Sequence, residues 1–184
     1  LCAGLWMAEW GAGGFSAVPE LHGILKQNAT AREEIEFLRE AQLALGRIGP
    51  AAQPAMRDLI NSMSHDNEQV QASAMYALGK IGRGATAAVP ALQRAAKSKI
   101  PIVQLAALRA LLEIQPGRSD LMAIALPHLV KALNHENEYV RAEAATATGE
   151  MGPRARSRAA AALKAKLKDC PLYKSNPADE PHCA

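Results

Sequence analysis

The chain has 184 residues, a formal net charge of +3 and a hydrophobic fraction of 49%. The length suits one domain of ordinary size, and the small net charge argues against a general affinity for nucleic acid. Aromatic residues make up only 4%, no apolar run approaches the roughly 20 residues of a membrane span, and no segment alternates as a strand would. Much of the apolar content is alanine, the best helix former, so the composition predicts an all-α protein.

The N-terminal segment begins Leu1-Cys2, without an initiator methionine or a basic leader region. We expect either an excised piece of a longer protein or a mature chain after processing, and the sequence leaves both alternatives open. Residues 3–10 and 15–27 are predicted as an incomplete first helix pair. Trp6 and Trp10 share one helix face and are expected to cover the open end of the helical stack.

The second helix pair covers residues 30–63. Thr30 and Glu33 have the spacing of a capping box, which predicts a helix from there to about Leu45. The inward stripe of this helix is predicted to comprise Phe37, Ala41, Ala44 and Leu45. Its partner is predicted over residues 52–63, burying Met56, Leu59 and Ile60.

Three further pairs follow in the chain. Asn67 is predicted as the N-cap of a helix to Lys80, which Gly79 and Gly82 would end, and Pro90 lies in the first turns of a helix over 86–97. Pro101 opens the next helix, and Ser119 or Asp120 is expected to cap a helix that ends at Leu133. Asn137 is predicted to cap a helix to Gly149, with a last helix over 154–168. Three prolines, Pro171, Pro177 and Pro181, exclude regular structure from the tail.

These helix pairs repeat at a nearly constant period. Leu45, Leu78 and Leu111 lie 33 residues apart, and the fourth copy follows 37 residues later at Thr148. Such self-similarity is typical of stacked helical arrays. One pair cannot bury its apolar face alone, so neighbouring pairs are expected to stack.

The repeated residues resemble HEAT repeats, specifically the short bacterial kind called PBS-lyase HEAT-like. The matching segments are Val140-Arg141, Ala144-Ala145, Leu78-Gly79-Lys80-Ile81-Gly82 and Ala88-Val89-Pro90-Ala91-Leu92. Gln71 and Gln104 depart from the pattern, because they replace its arginine. The resemblance covers residues 3–168 and implies an all-α right-handed superhelix of the HEAT/armadillo type with four to five helical hairpins. The predicted repeats are 1–27, 30–63, 66–97, 100–133 and 136–168, followed by a proline-rich tail over 169–184.

Catalytic and metal-binding residues are not predicted. A HEAT-type iron enzyme, deoxyhypusine hydroxylase, places His-Glu dipeptides on the helix after the Val-Arg pair. Here His65-Asp66 and His135-Glu136 lie in the preceding loops, two repeats and roughly 20 Å apart. We therefore interpret them as polar loop residues beside an N-cap, and we expect no cofactor and no catalysis.

Cysteine usage leaves the compartment open. Cys170 and Cys183 flank the proline-rich tail, and their spacing alone does not fix a pairing. A bridge between them would indicate a periplasmic or secreted protein, whereas free thiols would indicate a cytoplasmic one.

Basic side chains recur at equivalent positions of the second helices. In a solenoid these positions line up on the concave wall. The predicted partner-binding set is Arg57, Asn61, Arg94, Lys97, His128, Lys131 and Lys164. The sequence thus favours a non-catalytic protein-interaction scaffold with an acidic protein partner. The alternatives are an accessory subunit or regulator of an enzyme, such as a chromophore-lyase-like subunit, and a HEAT-like nucleic-acid binder, against which the low aromatic content argues.

Overall fold

The computed structural model describes residues 17–25 and 31–150, and every regular element in these ranges is a helix. The α-helices are α1 (Val18–Leu25), α2 (Arg32–Ile48), α3 (Met56–Ser62), α4 (Glu68–Ile81), α5 (Val89–Ala95), α6 (Pro101–Ile114), α7 (Ser119–Ala132) and α8 (Glu138–Glu150). Two 3-10 segments, Gly49–Ala55 and Gly82–Ala88, lead into α3 and α5. The chain forms two compact units, Leu1–Ala125 and Leu126–Ala184.

The first unit has two layers of helices. α2 packs on α4, and α4 packs on α6, so these three helices form the long-helix layer. α3 packs against α4, and α5 packs against α6. We call α1, α3 and α5 the short-helix layer. Leu45 and Leu78 of the long helices and Leu59 and Leu92 of the short helices are fully buried. The fold class is therefore the predicted α-solenoid of helical hairpins, held together by the leucines of the repeat period.

Helix starts follow the predicted capping residues at several positions. The Asn67 side chain accepts hydrogen bonds from the Gln69 and Val70 amides at the start of α4. Asn137 does the same for the Tyr139 amide at the start of α8, and Pro101 is the first residue of α6. The capping box at Glu33 is wrong: α2 begins at Arg32, so the third helical residue is Glu34, whose carboxylate accepts from the Ala31 amide.

Glycines have two different roles in the long helices. Gly49 and Gly82 have φ of 72° and 70° and directly follow α2 and α4, a conformation that suits glycine. The prediction that Gly79 ends the helix is wrong, because α4 continues to Ile81. A Cβ at Gly79 would lie 3.1 Å from the Ala110 Cα atom, and a Cβ at Gly46 would lie 2.5 Å from the Tyr76 ring. These two glycines therefore permit close packing of neighbouring long helices.

Other predictions are corrected at element ends. The helices α3 and α5 are shorter than predicted, because a 3-10 segment precedes each of them. Phe37 is 43% exposed rather than inward. The buried stripe of α2 runs instead through Leu38, Ala41 and Leu45, and Phe37 lies about 100° around the helix from Leu38. Ser119 and Asp120 lie inside the first turn of α7 rather than capping it.

Several predictions lie outside the described residues. They concern Trp6, Trp10, Thr30, the helix over 154–168, the tail over 169–184, Lys164, Cys170 and Cys183. The repeat boundaries also stay predictions. Within 17–25 and 31–150, no helix has the length and apolar character that a membrane span requires.

Candidate protein-interaction surface

The predicted partner-binding residues of the first unit all lie on the short-helix layer or directly after it. Arg57 and Asn61 are one turn apart on α3, Arg94 is in the last turn of α5, and Lys97 follows that helix. All four are exposed. No described residue forms an ion pair with Arg57, Arg94 or Lys97. We call these four residues the basic ridge, and its three charges are available to a partner.

Buried leucines hold the two helices of the basic ridge in place. Leu59 of α3 and Leu92 of α5 are fully buried, so the opposite faces of these helices point to solvent. The preceding 3-10 segments bury only small residues, which are Gly49, Ala52 and Ala55 in one and Ala85 and Ala88 in the other. Small side chains let the turn approach the long helices closely. The exposed positions thus follow from a short helix that is anchored along one side.

An acidic neighbour on the same helix is already paired. The Asp58 carboxylate binds the imidazole Nε2 of His22 on α1. Both side chains are partly buried, with 17% and 29% of their surface exposed. This contact ties α1 to α3. It also engages the carboxylate that follows Arg57 in sequence, so Arg57 keeps its charge for other contacts.

The other predicted residues are placed separately. His128 and Lys131 lie on the part of α7 that belongs to the second unit, and both are exposed. Lys164 is outside the described residues, as are Cys170 and Cys183, whose pairing stays a prediction. The structure therefore groups Arg57, Asn61, Arg94 and Lys97 on one layer of the first unit. The partner-binding role of His128, Lys131 and Lys164 stays a prediction.

The histidine loops contain well-defined local hydrogen bonds. The Nδ1 atom of His65 accepts from the Asn67 amide at 3.0 Å, and that of His135 accepts from the Asn137 amide at 3.1 Å. Because each imidazole supports the N-cap that follows it, both histidines have a structural role. Within 17–25 and 31–150 no three His, Cys, Asp or Glu side chains are arranged to hold a metal ion.

The residues in the arginine position of the repeat also bind loop backbone. Arg141 donates to the carbonyl oxygens of His135 and Glu136 at 2.8 and 2.7 Å. Gln71 donates to the His65 carbonyl at 2.5 Å, and Gln104 to the Ala96 carbonyl at 3.2 Å. The replacement of arginine by glutamine therefore keeps the link between each long helix and the loop before it.

A charged cluster between α4 and α6 was missed by the sequence analysis. The Glu113 carboxylate accepts from Lys80 Nζ at 3.2 Å and from Arg109 Nε at 3.3 Å. Both cations also lie over the Tyr76 ring, at 5.6 and 5.1 Å from its centroid. The signal was present, because Tyr76 and Arg109, like Lys80 and Glu113, are 33 residues apart. We call these four residues the Tyr76 cluster, and its charges are satisfied internally.

A second local ion pair lies before α7. Arg118 donates to both oxygens of Asp120, at 2.8 and 2.5 Å. These hydrogen bonds hold the pKa of Asp120 down to about 2 and raise the pKa of Arg118. Both groups are exposed, and the pair fixes the first turn of α7.

Comparison with known proteins identifies the repeat. Residues 56–125 match the family model described as HEAT repeats. This part of the chain therefore consists of HEAT repeats. The finer assignment to the PBS-lyase HEAT-like kind stays a prediction. HEAT repeats generally mediate protein–protein interaction and are typically non-catalytic.

One similar solved structure is the crystal structure of an engineered protein, a structural-genomics target. It is 23% identical in sequence, the alignment covers 93% of this chain and 83% of that one, and the TM-score is 0.46. No curated protein matched this chain.

Proposed function

We propose that this HEAT-repeat protein is a non-catalytic interaction module that binds an acidic surface of another protein through the basic ridge. The observation that carries the proposal is that Arg57, Arg94 and Lys97 are exposed cations without a carboxylate partner in the described part of the chain. They are exposed on one layer of helices, and no described residue neutralises them. Lys80, Arg109 and Arg118 of the first unit are paired with carboxylates. Arg47 and Arg83 are also exposed, but they lie on α2 and in a 3-10 segment, outside the helices of the ridge.

The character of these cations supports a protein partner. The planar guanidinium group of arginine forms two parallel hydrogen bonds with a carboxylate. A single exposed ion pair contributes little binding free energy, so several pairs must act together. Two arginines on successive short helices, and a lysine just after the second of them, supply such a group. Rim charges of this kind mainly set partner choice and association rate.

The proposal is tested by charge reversal on the whole chain. Affinity capture from the organism of origin, with quantitative mass spectrometry, would compare the wild type with Arg94→Glu and Arg57→Glu. Arg47→Glu is the matched control, because Arg47 is an exposed arginine in the last turn of α2, on the long-helix layer. We expect the captured amount of one acidic partner to fall about tenfold or more in both ridge variants. A tenfold weaker affinity corresponds to about 1.4 kcal/mol. Equal capture by all four proteins would refute the basic ridge as a binding surface.

The same proteins distinguish the nucleic-acid alternative. A titration with a single-stranded oligonucleotide at several salt concentrations should show no specific binding. Tight binding with a steep salt dependence that Arg94→Glu abolishes would instead assign the ridge to phosphate contacts.

A further inference from the structure

The loop between α5 and α6 differs from its counterparts in the preceding and following repeats. The three loops read Ser64-His-Asp-Asn-Glu68, Lys97-Ser-Lys-Ile-Pro101 and Asn134-His-Glu-Asn-Glu138. The first and third carry two carboxylates each, and their Asp and Glu residues are exposed. The middle loop carries two exposed lysines at 97 and 99 instead. Its charge is therefore the opposite of that of both related loops.

The middle loop also lacks the side-chain cap. Ile100 occupies the N-cap position, where the other two loops have Asn67 and Asn137. No side chain caps the start of α6, and Ile100 is 39% exposed. An aliphatic residue at an N-cap typically forfeits about 1 kcal/mol relative to asparagine. Because the Ile100 side chain is partly exposed, its packing within this chain offsets only part of that loss of stability.

The backbone of the loop does not require isoleucine. Ile100 has φ −83° and ψ 114°, close to the −85° and 120° of Asn67. Ser98 takes over the part of His65, since its hydroxyl accepts from the Ile100 amide at 3.1 Å. Asparagine would therefore fit at position 100 without a change of conformation. Pro101 favours an extended residue before it, and asparagine satisfies this as well.

We infer that Lys97, Lys99 and Ile100, together with Arg94, form the specificity-determining contact of this module, and that it recognises an acidic protein segment carrying an apolar side chain. The inference rests on the proposed function and narrows it to one loop. Departures from the usual capping and charge preferences are expected at functional sites. Here the side-chain cap is absent and the charge seen in the related loops is reversed within one five-residue loop, which contains the ridge residue Lys97. Lys99, like Arg94 and Lys97, has no ion-pair partner among the described residues.

The chemistry of the partner follows from these four side chains. Three cations call for Asp or Glu residues. A half-exposed isoleucine at the edge of the loop gains from covering by an apolar group, because its exposed surface then leaves water. A charged surface alone would not require the apolar residue.

Selection from a random 12-residue peptide library displayed on phage, against the whole 184-residue chain, tests the inference. We expect enriched peptides to be strongly acidic and to contain a large aliphatic or aromatic residue. The best peptide is then measured by fluorescence anisotropy against Ile100→Asn and Lys99→Glu. Each should weaken binding by about tenfold. Arg83→Glu and Phe37→Asn serve as matched controls, because they change an exposed cation and an exposed apolar residue elsewhere in the first unit.

Ile100→Asn separates lost binding from lost structure. It restores the cap of the related loops, so the melting temperature should rise by roughly 2–4 °C while affinity falls. Peptide affinity within twofold of the wild type in both Ile100→Asn and Lys99→Glu would overturn the inference. If Arg57→Glu still abolished binding of the acidic peptide in that case, the proposed function would stand without it. Enrichment of neutral or basic peptides would overturn both.

Discussion

Replacement of Gly79 by alanine should destabilise the protein, although alanine is normally the better helix residue. Gly79 lies inside α4, where the exchange by itself favours the helix by about 1 kcal/mol. The new Cβ atom would, however, lie 2.6 Å from the Glu113 Oε2 atom and 3.1 Å from the Ala110 Cα atom. The carboxylate would have to move away, and α6 would have to shift by a few tenths of an ångström.

The magnitude follows from what these movements disrupt. Overpacking at a helix interface costs about 1–3 kcal/mol. Displacing Glu113 weakens its pairs with Lys80 and Arg109. The Arg109 side chain is only 7% exposed, whereas Lys80 is 29% exposed, so solvent screening reduces this loss to about 1–2 kcal/mol. After the intrinsic gain is subtracted, we expect Gly79→Ala to lower the free energy of unfolding by about 2 kcal/mol.

Urea and thermal unfolding followed by far-UV circular dichroism would measure this change. A loss of about 2 kcal/mol corresponds to a melting temperature lower by roughly 4–8 °C. Gly23→Ala is the control, because Gly23 is an exposed residue of α1 whose Cβ would meet nothing within 4 Å. It should stabilise the protein by up to about 1 kcal/mol. A Gly79→Ala protein as stable as Gly23→Ala would refute the close-packing interpretation. In a Glu113→Ala background, Gly79→Ala should cost less.

Three further predictions concern other contacts. Gly46→Ala should destabilise by about 1–3 kcal/mol, because its Cβ would meet the Tyr76 ring at 2.5 Å, but it should be neutral or stabilising in a Tyr76→Ala background; an equal cost in both backgrounds would contradict this. Asn67→Ala should cost about 1 kcal/mol and speed hydrogen exchange at the Gln69 and Val70 amides, and unchanged exchange would disprove the cap. NMR titration should give Asp120 a pKa of about 2, and Arg118→Gln should return it toward the ordinary value of 3.8. Because the folded-state pKa of Asp120 is lowered, the stabilising ion pair is complete above about pH 4 and is lost as the pH falls toward 2. An Asp120 pKa that is the same in Arg118→Gln as in the wild type would contradict the pairing.

Local signals in the sequence predicted the parts of the fold that depend on local physics. Asn67, Asn137 and Pro101 have their roles because capping and proline geometry involve only a few neighbouring residues. The leucine period located the core, since Leu45 and Leu78 are both fully buried. The HEAT-repeat assignment followed from that period together with the turn glycines.

Contacts between helices could not be predicted in the same way. Gly79 was predicted to end its helix and Gly46 was not singled out, because sequence alone does not show which neighbouring side chain approaches a glycine. Their role became clear only from the close approach of Tyr76 and Ala110. The exposure of Phe37 likewise depends on the rotation of α2, which the stripe through Leu38 sets.

The candidate surface was predicted from exposed positions of the second helices, and the structure confirms the exposure of Arg57, Asn61, Arg94 and Lys97. Their partner-binding role stays a proposal. Lys99 and Ile100 were not predicted, because neither residue is unusual until its loop is compared with the related loops. Both related loops keep an asparagine cap.

Two side-chain hydrogen bonds between described residues join the long helices of the first unit, and each reaches across a single repeat. Gln42 and Ser73 are 31 positions apart, and Lys80 and Glu113 are 33. Contacts of such short sequence separation close small loops, so little chain entropy is lost before each one forms. Assembly of this unit can therefore spread from any adjacent pair of hairpins to the next. By the same reasoning, a residue inserted into a connecting loop would displace whole hairpins as blocks while their internal pairings survived.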